Sequence, residues 1–234
     1  MVPDERDPDR PASRQGDDAA FDPERARPLA REFFARSTSV VAQELLGKVL
    51  ASRAGGRLTA GRIVEAEAYL GSDDPGSHAA TRGVTPRNKV MYGPPGSVYV
   101  YFTYGMHHML NIVCEDEGVA GAVLVRAIEP VFGLDVMKSR RGKDSVRCLT
   151  DGPGKVAQAL GVDLEANGTL LGEGPLVVYD APVPSEQIGR SGRIGLSAGH
   201  EHELRFFLEG NAFVSRARPG VRPPRKRARH RLSD

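Results

Sequence analysis

Residues 97–130, SVYVYFTYGMHHMLNIVCEDEGVAGAVLVRAIEP, contain three runs rich in β-branched and aromatic residues, at 97–105, 109–115 and 120–130. Glycines or a cluster of acidic residues separate these runs. Connections this short favour antiparallel neighbours, because parallel strands need a longer crossover. The stretch therefore predicts an antiparallel sheet at the centre of the protein.

Further strands and several short helices are predicted on both sides of this stretch. Two strands are expected at 49–53 and 57–69, around a glycine-containing turn. Helices are predicted to begin near Leu29, at Ser37 or Thr38, after Pro130, and at Asp151, which can cap a helix that ends at Gly161. Shorter strand candidates lie at 176–179, 193–196, 204–208 and 213–215. Strands and helices do not alternate regularly, so we expect an α+β fold, a single compact domain with a curved, mostly antiparallel β-sheet flanked by helices.

The two ends of the chain are polar and differ in charge. Residues 1–28 hold eight acidic and five basic residues, a net charge of −3, whereas residues 215–234 hold eight basic residues and one acidic residue, a net charge of +7. We therefore predict a disordered N-terminal tail at 1–27, a globular domain at 28–215 and a basic C-terminal tail at 216–234. Such a basic tail either binds phosphate nonspecifically or keeps the chain soluble.

Composition excludes several classes of protein. Cys114 and Cys148 lie in different segments without a CxxC spacing, which argues against a disulfide framework or a structural zinc site. The N-terminus has no apolar signal-peptide region, and nowhere do about eighteen apolar residues follow one another. A cytoplasmic protein without a membrane anchor is expected.

Acidic and apolar residues alternate in GRIVEAEAYLG at 61–71, which places Glu65 and Glu67 on the same face of a strand. Two neighbouring carboxylates repel each other, which tends to raise the pKa of at least one and suits a general base. A solvated strand face with two ordinary surface glutamates is the alternative interpretation.

Aromatic and polar side chains on the neighbouring strands supply further candidates. Tyr99 and Tyr101 share a strand face, which indicates either packing at the edge of the core or a platform on which a flat ligand stacks. Asn111 and Arg126 are set among apolar strand residues, where a polar side chain is costly unless it is paired with a structural partner or binds a ligand.

The segment at 71–96 is rich in Gly, Pro, Asp and Ser, so it predicts a long loop of the kind that is functional or disordered. His78 in this loop could ligate a metal together with Asp73, Asp74 or Glu67. A dedicated transition-metal site would show more His or Cys ligands, so we do not favour a metal. The chain has no GxxxxGK[ST] motif and no GxGxxG after a strand, which argues against nucleotide hydrolysis and redox cofactors.

Read in order, these segments resemble the 3-methyladenine DNA glycosylase family of the alkyladenine glycosylase type, and the chain resembles a bacterial member of that family. The resemblance covers roughly residues 29–216. It rests on seven features in the family's order and spacing: GRIVEAEAYLG at 61–71, His78, TPRN at 85–88, GSVYVYFTYGM at 96–106, LNI at 110–112, VLVRAIEP at 123–130 and LTDGPGKVAQALG at 149–161. Several ordered motifs are far more specific than any one of them.

The resemblance implies a role for each matching residue. Glu67 matches the glutamate that positions and deprotonates the attacking water. Tyr69, His78 and Tyr101 match the residues that sandwich and hydrogen-bond the extruded base. The remaining matches are Tyr104, which enters the duplex in place of the flipped nucleotide, Asn111, which disfavours the amino group of normal guanine, and Arg126, which orders the site near the nucleotide backbone. Glu65 has no role beyond tuning its neighbour.

The expected function is therefore hydrolysis of the N-glycosidic bond of alkylated purines in double-stranded DNA, after base flipping. Expected substrates are 3-methyladenine and 7-methylguanine, with hypoxanthine and ethenoadenine as further candidates. The candidate pocket strands contain no lysine, so we expect a monofunctional enzyme without a lyase step. We also expect no cofactor and no metal, and a nucleoid-associated monomer. A lesion-binding protein without catalysis and a metal-dependent hydrolase are the alternatives. One departure is His107, where relatives carry tyrosine, which leaves the pocket shape open.

Overall fold

The computed structural model describes residues 21–80, 83–103, 105–196, 198–199 and 201–216. Within them the helices are α1 (Arg31–Phe34), α2 (Thr38–Glu44), α3 (Leu134–Arg141) and α4 (Pro153–Leu160). The strands are β1 (Val49–Ser52), β2 (Thr59–Tyr69), β3 (Val98–Thr103), β4 (His107–Val113), β5 (Ala122–Phe132), β6 (Leu176–Tyr179), β7 (Ile188–Ser191) and β8 (Arg205–Leu208).

The strands form one antiparallel sheet in the order β3-β4-β5-β2-β1-β6, with β8 paired to β2 and β7 paired to β8. This arrangement confirms the predicted α+β fold with a curved, mostly antiparallel sheet flanked by helices. The central strand β2 is paired with β5 on one edge, and on its other edge with β1 and then β8. The segment that carries Glu65 and Glu67 is therefore covered by strands on both sides.

Two bulges shift the register between β2 and β5 beside these glutamates. Ile63 pairs with Ile128 and Glu65 with Ala127, so Val64 is an extra residue on β2. Ala66 then pairs with Val125, which makes Arg126 an extra residue on β5. Bulges bend a strand and redirect side chains, and they are common beside active sites.

The two faces of the central strands have different roles. Alternate residues of one face, such as Val100, Ile112 and Val125, are buried in the main core together with residues of the helices. The opposite face carries Tyr99 and Tyr101, which pack with the end of the loop at 71–96. Because successive side chains of a strand point to opposite faces, one face builds the core and the other is available for a site.

Helix α2 begins at the predicted place but is capped by a distant residue. Ser37 is the N-cap residue and its side chain makes no capping hydrogen bond. Instead the Glu115 carboxylate accepts hydrogen bonds from the Thr38 backbone N–H, at 2.6 Å, and from the Thr38 hydroxyl, at 2.7 Å. Glu115 has a φ of 67°, a left-handed conformation that is uncommon for a residue with a side chain.

Glu115→Ala is expected to lower the free energy of unfolding by about 1–2 kcal/mol, because it removes the cap and leaves a buried hydroxyl without its acceptor. Chemical denaturation of the variant and the wild-type protein measures this loss. Glu117→Ala, at an exposed position of the same turn, is the matched control and should change stability by less than about 0.5 kcal/mol. Equal effects of the two substitutions would contradict the capping role.

Three local predictions are wrong. Asp151 does not cap α4, because Gly152 is the N-cap residue and Asp151 instead accepts a hydrogen bond from Lys155 Nζ at 2.7 Å. The predicted strand at 193–196 is irregular, and the strand lies earlier, at Ile188–Ser191. The predicted strand at 213–215 is also irregular, since its end is bound to a buried carboxylate of β2 rather than to a sheet edge.

Residues 21–27 of the predicted N-terminal tail are described by the structure, and the Phe21 ring lies 5.5 Å from the Tyr179 ring. Most of the predicted tails, 1–20 and 217–234, and the predicted wedge residue Tyr104 lie outside the described residues. The boundaries of the three regions remain predictions. Every described helix is too short or too polar to cross a bilayer.

Candidate active site

A cavity of about 350 Å³ opens on the sheet face that carries Tyr99 and Tyr101, and Pro153 at the start of α4 also lines it. Its walls come from strands β3, β4 and β5, from the end of β2, from the loop at 71–96 and from the irregular segment at 194–196. Six of the residues predicted for the site from sequence meet around it: Tyr69, His78, Tyr101, Asn111 and Arg126 line it, and Glu67 binds two of these. The volume is within the range of pockets that hold a small organic ligand.

Glu67 is fully buried behind the cavity wall, and its three partners among the described residues all line the cavity. Oε2 accepts hydrogen bonds from the Tyr69 hydroxyl at 2.8 Å and from Arg126 Nη1 at 3.2 Å, and Oε1 accepts one from the Ile194 backbone N–H at 2.8 Å. A carboxylate has about four acceptor positions. The described residues fill three of them, so one acceptor position on Oε1 has no donor among the described residues.

Glu65 is also fully buried, and it holds a different set of partners. Its carboxylate accepts hydrogen bonds from Arg126 Nε at 2.9 Å and Arg205 Nε at 2.7 Å. The Ser215 backbone N–H and hydroxyl donate two more, at 2.7 and 2.9 Å. Glu65 thus joins the middle of the sheet to the end of the described chain.

The expectation of two solvated or mutually repelling glutamates is therefore wrong. Burial alone would raise the pKa of Glu65, but Arg126 and Arg205 outweigh it and hold that pKa below its ordinary value. Arg126 lies between the two carboxylates, within 3.2 Å of both. Two carboxylates and two guanidiniums form a cluster without net charge, which is the condition under which buried charges are tolerated.

Asp74 and Arg193 form a second buried ion pair, which the sequence did not indicate. Both guanidinium Nη atoms lie 2.5 Å from the Asp74 carboxylate, and they also donate to the carbonyls of Ala68 and Gly199. Asp74 in turn accepts hydrogen bonds from the backbone N–H groups of Leu70 and Gly76. This pair fixes the loop at 71–78, Arg193 and Gly199 against the end of β2, and it explains why 193–196 is not a strand.

The aromatic residues of the cavity are connected by hydrogen bonds. Burial and the Glu67 carboxylate raise the pKa of Tyr69 well above its ordinary value, so its hydroxyl remains a donor. His78 Nδ1 lies 3.0 Å from the Tyr99 hydroxyl, and the His78 ring meets the Tyr101 ring edge-on at 4.7 Å. Burial and the nearby Arg87 lower the pKa of His78, which keeps its ring neutral at pH 7. Tyr99, unassigned from sequence, thus supports the pocket.

Asn111 is buried in the cavity wall with its amide orientation fixed. Its Nδ2 donates to the carbonyls of Tyr99, at 3.0 Å, and Met109, at 3.2 Å. Both amide hydrogens are therefore used within the protein, and Oδ1 is the polar atom that remains to meet a ligand.

The residues considered as metal ligands have other partners. Asp74 binds Arg193, Glu67 binds Tyr69 and Arg126, and His78 binds Tyr99. Across the part of the chain that the structure describes, no three His, Cys, Asp or Glu side chains are grouped so that they could hold a metal ion.

Comparison with known proteins identifies the family of the chain. Residues 32–212 match the model of the family described as methylpurine-DNA glycosylase. A protein of Chlorobaculum parvum is 49% identical over 207 residues, covering 87% of this chain and 97% of the relative, and one of Methanoculleus marisnigri is 48% identical over 192 residues, covering 80% and 98%. Both carry the name "Putative 3-methyladenine DNA glycosylase". The chain therefore belongs to the methylpurine-DNA glycosylase family of DNA repair enzymes, as its ordered motifs predicted.

Proposed function

We propose that the protein is a monofunctional DNA glycosylase that removes alkylated purines, such as 3-methyladenine and 7-methylguanine, from double-stranded DNA. It acts as a nucleoid-associated monomer on a nucleotide that has rotated out of the duplex. The observation that carries the proposal is the position of Glu67. Its buried carboxylate is held by three residues of the cavity wall, and we assign the acceptor position that no described residue fills to the attacking water.

Glu67 supplies the chemistry in this proposal. The N-glycosidic bond breaks through a sugar with oxocarbenium character, and a nearby carboxylate stabilises that positive charge. A water molecule bound to Oε1 attacks the anomeric carbon and transfers a proton to Glu67, while the bonding electrons leave with the base. Tyr69 and Arg126 fix the orientation of the carboxylate, and Arg126 is itself held in place by Glu65.

The cavity walls supply recognition of the base. The rings of Tyr69 and Tyr101 provide flat apolar surfaces, and an aromatic face attracts a cationic base by about 0.5–2 kcal/mol. The neutral His78 ring lines the cavity edge-on to Tyr101. Asn111, held in place by two hydrogen bonds, is proposed to disfavour normal guanine by filling the space that its amino group would need. Tyr104 is proposed as the wedge that fills the gap in the duplex.

The proposal of a monofunctional enzyme rests on which side chains line the cavity. None of the described residues that line it is a lysine. An imine-forming lyase step needs an amine nucleophile next to the sugar. Hydrolysis by an activated water fits the residues that are present.

The test is an excision assay on duplexes that carry a single 3-methyladenine, 7-methylguanine, hypoxanthine or ethenoadenine. After incubation with the full-length protein, alkali cleaves the DNA wherever a base has been removed. We expect alkali-dependent cleavage at the alkylated purines, equal rates with and without chelator, and no cleavage before alkali. An unmodified duplex of the same sequence is the control.

Each competing function gives a different result in this assay. Lesion-specific binding without alkali-labile sites would indicate a binding protein rather than an enzyme. Loss of activity with chelator, restored by added metal, would indicate a metal-dependent hydrolase. Strand cleavage before alkali would contradict the monofunctional assignment alone.

A further inference from the structure

Each of the two tyrosines proposed to stack on the base has a guanidinium over its ring. The Arg193 guanidinium carbon lies 4.8 Å from the Tyr69 ring centroid, and that of Arg87 lies 5.4 Å from the Tyr101 ring centroid. Arg193 is fully buried and does not line the cavity, whereas Arg87 does line it. A cation over an aromatic ring uses part of the negative potential of that ring. Less of this negative potential is then left to attract a positively charged base.

Among the described residues around the cavity, the charges cancel except at Arg87. Glu65 and Glu67 compensate Arg126 and Arg205, and Asp74 compensates Arg193. His78 is neutral at pH 7 because burial and Arg87 lower its pKa. Among the described residues no carboxylate lies within ion-pair distance of Arg87, so the cavity carries one uncompensated positive charge at its rim.

Local structure keeps Arg87 at this position. Burial raises the pKa of Tyr99 and the nearby Arg87 charge partly offsets this, and the Tyr99 hydroxyl also lies 3.0 Å from His78 Nδ1. The next residue, Asn88, is buried, and its amide donates to the carbonyls of His78 and Gly83, both at 2.9 Å. The loop around Arg87 is therefore attached to the residue that forms one wall of the cavity.

We propose that Arg87 is a specificity-determining residue, which weakens the binding of positively charged bases in this cavity relative to neutral ones. The inference rests on the proposed function, and it adds that neutral lesions such as hypoxanthine are favoured more than the aromatic walls alone would allow. Two positive charges within several ångströms repel each other even where water screens them partly. An uncharged base avoids this repulsion.

A competing role for Arg87 is contact with a phosphate of the flipped nucleotide, because arginine binds phosphate oxygens well. The two roles differ in what they affect. A phosphate contact is the same whichever base the nucleotide carries, whereas repulsion depends on the charge of the base. The ratio between a cationic and a neutral lesion separates them.

The experiment compares the wild-type protein with Arg87→Gln and Arg87→Lys on two duplexes that differ only in the lesion, 7-methylguanine or hypoxanthine. Affinity is measured on 2′-fluoroarabino versions of both, in which the fluorine resists cleavage, and single-turnover excision is measured on the ordinary versions. We expect Arg87→Gln to shift both ratios by about three- to tenfold toward 7-methylguanine. Arg87→Lys keeps the charge and should leave the ratios within about twofold of wild type. The shift should also shrink as salt is raised.

Equal changes on both lesions in Arg87→Gln would overturn the inference and support a phosphate contact. An equal shift in Arg87→Gln and Arg87→Lys would also overturn it, because geometry rather than charge would then be responsible. The affinity ratio does not require catalysis, so it tests Arg87 even if the excision assay fails. A wild-type protein that binds neither lesion better than unmodified DNA would contradict both the inference and the proposed function.

Discussion

Glu67→Gln is expected to slow single-turnover excision by about 10³-fold while leaving the affinity for a lesion duplex within a few-fold of wild type. Glutamine keeps the size of the side chain but can neither accept the proton of water nor stabilise a cationic sugar. The Tyr69 hydroxyl and Arg126 both donate to Glu67 Oε2, so the carbonyl oxygen of glutamine should occupy that position. Its amino group would then face the Ile194 N–H.

Two measurements check this expectation. Excision is followed under single-turnover conditions, and affinity is measured with the 2′-fluoroarabino duplex. Glu173→Gln, at an exposed position away from the cavity lining, is the matched control and should leave both unchanged. Excision by Glu67→Gln within about threefold of wild type would remove Glu67 from the mechanism. Loss of affinity together with excision would indicate collapse of the pocket instead.

Glu65→Gln should give the opposite pattern, a large loss of stability. Glu65 is fully buried between two guanidiniums, and removing its charge leaves Arg205 without a carboxylate partner among the described residues. Breaking a buried ion pair from one side costs about 3–5 kcal/mol. Chemical denaturation measures the loss. Adding Arg205→Met to Glu65→Gln should restore part of the stability, since the second change removes the stranded charge.

The same residue predicts how stability depends on pH. Since Arg126 and Arg205 outweigh burial and hold the pKa of Glu65 below its ordinary value of 4.5, its contribution is fully present above that value. The contribution is lost as the pH falls through the lower pKa of the folded state. The free energy of unfolding should therefore fall more steeply below pH 4.5 in the wild-type protein than in Glu65→Gln. The assignment would be contradicted if the free energy of unfolding fell equally with pH in the wild-type protein and in Glu65→Gln. It would also be contradicted if only Glu67→Gln removed the steeper fall below pH 4.5.

The sheet could be predicted from sequence because its signal is local. β-Branched and aromatic residues mark each of the central strands, and glycines or acidic residues mark their ends, so 97–130 gave three strands in the right places. The segment at 193–196 has the same apolar character but is not a strand. Its conformation depends on Arg193 binding Asp74, a residue more than a hundred positions away, and no local pattern carries that information.

The candidate site was predictable in part for the same reason. Alternation placed Glu65 and Glu67 on one face correctly, but it could not show that β8 covers them or that arginines neutralise them. Ordered motifs brought His78, Asn111 and Arg126 to one cavity, although they come from three different elements. The ion pairs of Asp74, Arg193 and Arg205 were missed because each of these residues is significant through a partner more than a hundred positions away, which no local pattern indicates.

The bonds between Ser215 and Glu65 determine where this chain can be altered for practical purposes. A cut or a deletion ahead of Ser215 would take two of four hydrogen bonds from a carboxylate that also holds Arg126. An affinity label or fluorophore attached after Arg216 would leave all of these bonds in place. A label should therefore follow Ser215, because that residue is still bound to the buried Glu65 of β2. The last strand ends at Leu208, seven residues before Ser215, and its end does not mark the safe position.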